Sequence, residues 1–187
     1  MNAPPTGTPL RVLGLDPGTR RFGWGVIERV GSRVTHIDHG VVEAGLEGPI
    51  APRLVIIERR LVEVVRDYAP TAVAIETLFF AKDAQAAAKL GHARAIGLLV
   101  AARCELPIGE YAPSLVKKAV VGSGRADKDQ VAQMVRAMLA LPELPLSDAA
   151  DALAIALTHV NAPVAAASRL GEALARAKRP SRAAGRW

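Results

Sequence analysis

The chain has 187 residues, half of them apolar, enough to bury a sizeable core and consistent with one domain. No apolar run reaches the roughly 18 residues of a membrane span, and the opening MNAPPTGTP has neither the basic head nor the apolar stretch of a secretory signal, so a cytoplasmic protein with no membrane attachment is expected. A formal charge of +6 and a pI near 10 point to a polyanionic partner, with nucleic acid the first candidate.

In chain order, residues 1–9 read as a disordered lead, followed by one folded domain over 10–161 and a basic, flexible tail over 162–187 that closes with KRPSRAAGRW. LRVLGLD and FGWGVIERV are strand-like and separated by the turn PGTRR, and VGS turns the second into RVTHIDHGVVEA, giving three antiparallel strands. From Ile50 to Tyr68 the apolar residues Leu54, Ile57, Leu61, Val64 and Val65 recur at helical spacing, and Pro70 ends this amphipathic helix. TAVAIE is then a strand, followed by an Ala-rich helix from about Lys82 to Cys104 and a short strand, LPIGEY. Helices follow near Pro113–Val120 and Lys128–Leu141, and Ser147 is placed to cap a last helix, DAADALAIALTHV. No internal repeat is present.

The strand at Arg11–Leu15 ends in Asp16, whose charge is costly to bury unless something faces it. Strands joined by helices require right-handed crossovers, which should set TAVAIE parallel to and beside the first strand. Asp16 and Glu76 would then leave neighbouring carboxyl ends about 4.8 Å apart, in the crevice where open α/β sheets bind ligands. Asp148 and Asp151 lie three residues apart and so share one face of the last helix, which is apolar almost all round and therefore buried. Taken singly each acid has a plain explanation: Asp148 favours a helix N-terminus, Asp16 suits a turn, Glu76 a strand end and Asp151 an arginine partner. Gathered at one sheet edge they repel one another, and the low-cost remedies are protonation or a divalent cation.

Cys104 stands alone, and His36, His39, His92 and His159 lack metal-ligand spacing, so zinc is not indicated. Oxygen-only donors suit Mg²⁺ or Mn²⁺. A basic protein carrying an acidic cluster is reconciled if two metal ions bridge the carboxylates to a phosphodiester, one generating hydroxide and the other steadying the leaving oxygen, which is nuclease chemistry. Phe79 and Phe80 follow the Glu76 strand and read either as a pair of core aromatics or as supplying one ring that stacks on an unpaired base. Lys117, Lys118, Arg125 and Lys128 flank the VGSG loop, as a solvated face or as phosphate contacts. GSGRADK does not have the spacing of a Walker loop.

The segments LGLDPGTRRFGWGV, AIETLFFAKDAQAAAKLGHAR, YAPSLVKKAVVGSGRADKDQV and SDAADALAIALTH resemble, in order and spacing, the RuvC family of bacterial Holliday-junction resolvases, from about Arg11 to His159. The resemblance implies an α/β, ribonuclease H-like fold with a mixed five-stranded sheet flanked by helices. It also implies a homodimeric crossover junction endodeoxyribonuclease that cuts two like-polarity strands of a four-way junction symmetrically, leaves ligatable nicks, uses Mg²⁺ at two ions per subunit, and works with the RuvA and RuvB branch-migration proteins in recombination and repair. By motif position the family's catalytic, metal-holding acids fall on Asp16, Glu76, Asp148 and Asp151, its basic DNA-contacting positions on Lys117 and Lys128, and its active-site aromatic on Phe79. Asp83 departs from the asparagine common in the family.

Other readings are an actin-like or sugar-kinase ATPase, which needs a second phosphate loop and about twice this length, a ribonuclease H acting on RNA–DNA hybrids, and a junction-binding protein without catalysis. The last has no use for four acids beside its DNA surface. The Lys82–Cys104 helix carries small residues at Ala87, Gly91, Ala95 and Gly97, which would admit a second helix as the dimer contact or pack on the chain's own sheet.

Overall fold

A computed structural model describes residues 8–45, 47–77 and 84–162. Three long strands open the fold: β1 (Leu10–Asp16), β2 (Arg21–Val30) and β3 (Arg33–Glu43). After α1 (Ile50–Tyr68) come β4 (Ala72–Glu76), α2 (Ala84–Arg103) and β5 (Ile108–Tyr111). The chain then closes with α3 (Pro113–Val121), α4 (Lys128–Met138) and α5 (Ser147–Asn161). The five strands form one sheet in the order β3-β2-β1-β4-β5. β1–β2 and β2–β3 are antiparallel, whereas β1–β4 and β4–β5 are parallel, so the sheet is mixed as expected. Among the described residues no helix is long and apolar enough to cross a membrane.

The alternation of side chains along the strands gives the sheet two apolar faces. Leu13, Leu15, Phe22, Trp24 and Val26 join Ile57, Leu61 and Val64 of α1 and Ala93 and Val100 of α2 in one buried cluster. Val12 and Ile27, from the alternate positions, join Leu153, Ile155 and Leu157 of α5 and residues of α3 and α4 in the other. Burial of α5 is nearly complete from Ala149 to Val160, which accounts for a helix with almost no polar face. It lies very close to the sheet: a Cβ at Gly14 would run into the backbone oxygen of Ala152, and one at Gly23 into that of Asp148. Only glycine permits that approach.

Two details differ from the sequence-based expectation, and a third bears on an alternative left open there. Leu146, not Ser147, stands at the N-cap of α5, with no side-chain cap, and Ser147 is the first helical residue. α4 ends at Met138, three residues short of Leu141, because Ala140 takes a left-handed φ of 50°. Gly97 faces the chain's own sheet, where a Cβ would stand 3.0 Å from Leu15 Cδ1 and 3.3 Å from Ile75 Cδ1, so this small residue serves internal packing.

Candidate active site

Parallel pairing of β1 with β4 sets Leu15 opposite Ile75, so Asp16 and Glu76 leave the same edge of the sheet side by side. Arg94 of α2 fixes the end of β4: its Nε donates to the Glu76 carbonyl oxygen at 3.0 Å, and its guanidinium pairs with Glu110 on β5. α5, seated on Gly14 and Gly23, brings Asp151 to the same edge. α3 and α4 form the opposite wall. Asp127 caps α4 through a capping box with Gln130, which holds Lys128 at the first helical position.

The result is an open cavity of about 260 Å³ lined by Asp16, Glu76, Asp151, Lys117 and Lys128, with Pro113, Val116, Val131 and Ile155 as its apolar floor. Lys128 Nζ donates to Asp151 Oδ2 at 3.0 Å, and this carboxylate raises the pKa of the ammonium. Asp148 does not line the cavity. Its Oδ2 lies 3.1 Å from Arg21 Nε, beside the cavity. Lys118 and Arg125 are exposed outside it. Phe79, Phe80 and Asp83 fall outside the described residues.

Burial, then Asp151 and Glu76 and to a smaller extent Asp148, push the Asp16 carboxyl up to about 8, Lys128 acting in the opposite sense. Burial and Asp151 likewise raise Glu76. Burial is the larger cause of the Asp16 shift and the neighbouring acids add to it; the acids lining the cavity offer oxygen donors, the type that hard divalent cations take. Among the described residues no group of three or more His, Cys, Asp or Glu side chains is arranged to hold a metal ion as the side chains stand. Lys128 and Arg21 occupy the charge of the two acids on α5 instead.

The shift fixes a pH dependence. Between the unfolded value of 3.8 and the folded value of about 8, metal-free native protein holds a proton on Asp16 that the unfolded chain has released. Native protein binds more protons throughout that window, so stability falls as pH rises through it. Thermal unfolding in EDTA should give a lower Tm at pH 9 than at pH 5, with the decline shallower for Asp16→Asn; a wild-type Tm flat across the window would contradict the assignment.

A β-bulge at Val26/Ile27 lets His36 and His39 share a face and a 2.8 Å hydrogen bond, while His159 is buried and bonded to the Tyr111 hydroxyl at 2.9 Å. Arg21 and Arg94, which contact the site acids from outside the cavity, were missed by sequence reasoning. Arg21 offered a weak signal, being directly followed by the Phe-Gly that begins the glycine-bearing stretch of β2, and Arg94 none without the fold.

The family model for crossover junction endodeoxyribonuclease RuvC matches residues 12–159. Crossover junction endodeoxyribonuclease RuvC of Sorangium cellulosum is 52% identical over 176 residues, covering 93% of this chain and 98% of its own length. The Rhodopseudomonas palustris protein of the same name is 50% identical over 89% of this chain and 96% of its own. Among solved structures, T. thermophilus RuvC in complex with Holliday junction substrate superposes with a TM-score of 0.75 at 38% identity, covering 87% of this chain and 96% of that one. The yeast mitochondrial Holliday junction resolvase Ydc2, 14% identical with a TM-score of 0.57 over 80% of this chain and 77% of that one, shares the fold. With the mixed five-stranded sheet of the ribonuclease H-like class and agreement along nearly the whole domain, the chain belongs to the RuvC family of crossover junction endodeoxyribonucleases.

Proposed function

We propose that this chain resolves Holliday junctions, hydrolysing one phosphodiester in each of two like-polarity strands and leaving ligatable nicks, with Asp16, Glu76, Asp148 and Asp151 as its catalytic, metal-holding acids. The observation that carries the reading is the convergence of Asp16, Glu76 and Asp151 with Lys117 and Lys128 on one open cavity at the carboxyl edge of the sheet. Mg²⁺, at two ions per subunit and with Mn²⁺ as a substitute, would supply an activated water and charge stabilisation of the leaving oxygen. The chain's own residues do the rest. Asp16 and Glu76, fixed by paired strands, and Asp151, fixed by the buried helix, offer oxygen donors whose spacing the fold sets in advance. Lys117 and Lys128 put positive charge where the phosphodiester must lie. Lys118 and Arg125 extend that charge along a junction arm, and Phe79, by resemblance, stacks on a base unpaired at the crossover.

A single active site cannot cut two opposed strands in one encounter, which favours an isologous dimer sharing the two-fold axis of the junction. Val55, Ile56 and Val62 of α1 and Leu99 of α2 are exposed apolar side chains suited to that contact. RuvA and RuvB are the proposed partners in recombination and repair, on resemblance.

The direct test is incubation with a synthetic four-way junction, a linear duplex and an RNA–DNA hybrid, with Mg²⁺, with Mn²⁺ and with EDTA. Paired symmetric nicks in the junction alone, dependent on metal, are expected; preferred cutting of the hybrid would make the chain a ribonuclease H. Lys117→Ala and Lys128→Ala should each weaken junction affinity and reduce the slope of log K against log salt by about 0.9 for each phosphate that is no longer neutralised. An unchanged slope would place that lysine on a solvated face.

A further inference from the structure

Asp148 is the one proposed site acid that does not line the cavity. Its charge still acts on Asp16 and Lys128, but its carboxylate is paired beside the cavity, where β2 begins. Arg21 begins β2, opposite Glu43 on β3, and its Nε lies 3.1 Å from Asp148 Oδ2 and 3.4 Å from Glu43 Oε1. This nitrogen is buried, yet it makes no well-formed hydrogen bond to either carboxylate. The guanidinium is therefore held by charge at short range, without the parallel two-bond fit that makes arginine pairs strong. Glu43 is 67% exposed, so solvent screens its share of the attraction. A phosphate oxygen pair meets a guanidinium in the bidentate geometry that these two carboxylates do not provide.

We infer that Arg21 is a positioning residue that holds Asp148 beside the cavity while no DNA is bound, and that a backbone phosphate of the incoming junction draws the guanidinium away and releases Asp148 to the metal. Arg21 then competes with metal for Asp148 in the DNA-free protein and ceases to compete in the complex. Because such coupling is reciprocal, metal and junction each favour the binding of the other through this one side chain. The inference rests on the proposed role of Asp148 as a site acid.

The test uses Mn²⁺ alone as the probe, added to the full chain without DNA, with the unbound ion counted by its electron paramagnetic resonance signal. Arg21→Gln should bind Mn²⁺ about fivefold more tightly than wild type, Arg21→Lys should return to the wild-type value, and the gain should vanish when Asp148→Asn is added. With saturating junction, the Mn²⁺ concentration giving half-maximal single-turnover cleavage should be the same for wild type and Arg21→Gln, because the phosphate has already taken the guanidinium. Unchanged or weaker Mn²⁺ binding by DNA-free Arg21→Gln, in a background where Asp148→Asn does abolish cleavage, would overturn the inference alone. An equal shift with and without junction would overturn the phosphate release. Normal Mn²⁺ binding and normal cleavage by Asp148→Asn would overturn the site reading, and this inference with it.

Discussion

Asp16→Asn, Glu76→Gln, Asp148→Asn and Asp151→Asn should each lower single-turnover cleavage of a four-way junction by about a thousandfold or more, while junction affinity stays level or rises. Charge is the cause of both effects. Each substitution keeps the shape of the side chain and removes one anionic oxygen donor, so metal is lost while the repulsion between the site and the phosphodiester falls. Asp16 is the sharpest case, since burial and three neighbouring acids already hold its carboxyl at about 8, and Asp16→Asn relieves that strain on the metal-free protein. The same variant should therefore be inactive and, at pH 8 in EDTA, no less stable than wild type. Gel-shift affinity measured beside quenched cleavage separates the two effects. Near-normal cutting by any one variant would remove that residue from the site.

Gly23→Val should be nearly as damaging without touching a carboxylate. A Cβ at Gly23 has no room, because the backbone oxygen of Asp148 occupies that place, and backbone cannot swing aside as a flexible side chain can. The first turn of α5 must move outward, carrying Asp148 and then Asp151 with it. Overpacking of this kind costs about 1–3 kcal/mol of stability, and a displacement of about 1 Å in a positioned group costs on the order of 100-fold in rate. Denaturant unfolding and single-turnover cleavage of the same preparation measure both. A valine variant with wild-type stability and wild-type cleavage would show that α5 does not depend on its glycine bed.

Much of this architecture was legible in the sequence because local patterns and global topology agree. The strand-like runs LRVLGLD, FGWGVIERV and RVTHIDHGVVEA, separated by the turns PGTRR and VGS, gave three antiparallel strands, and the helical spacing from Leu54 to Val65 gave the crossover that makes β4 parallel to β1. From that pairing alone Asp16 and Glu76 became neighbours. Asp151 followed from a helix too apolar to be anything but buried. The position of Asp148 was not legible, because it depends on Arg21, a residue that pairs across strands with Glu43 and reaches α5 only in the folded chain. Helical periodicity placed Asp148 and Asp151 on one face, yet it says nothing of which nearby cation draws one of them aside. Ser147 misled for a similar reason: its type suits a cap, but Leu146 adopts the extended ψ of 146° there and the helix starts without a side-chain partner. Gly97 shows the limit of reading small residues as contact sites, since space on a helix is as useful against the chain's own Leu15 and Ile75 as against another chain.

The proposed chemistry stands or falls on whether the carboxylates at this sheet edge hold a divalent metal. Crystals grown with Mn²⁺ and measured on both sides of the manganese absorption edge decide the matter. Anomalous density is expected between the Asp16 and Asp151 carboxylates, and it should be lost in crystals of Asp16→Asn. Anomalous density confined to other parts of the molecule, with Lys128 still bonded to Asp151 and the cavity free of metal, would contradict a metal-holding role for these acids.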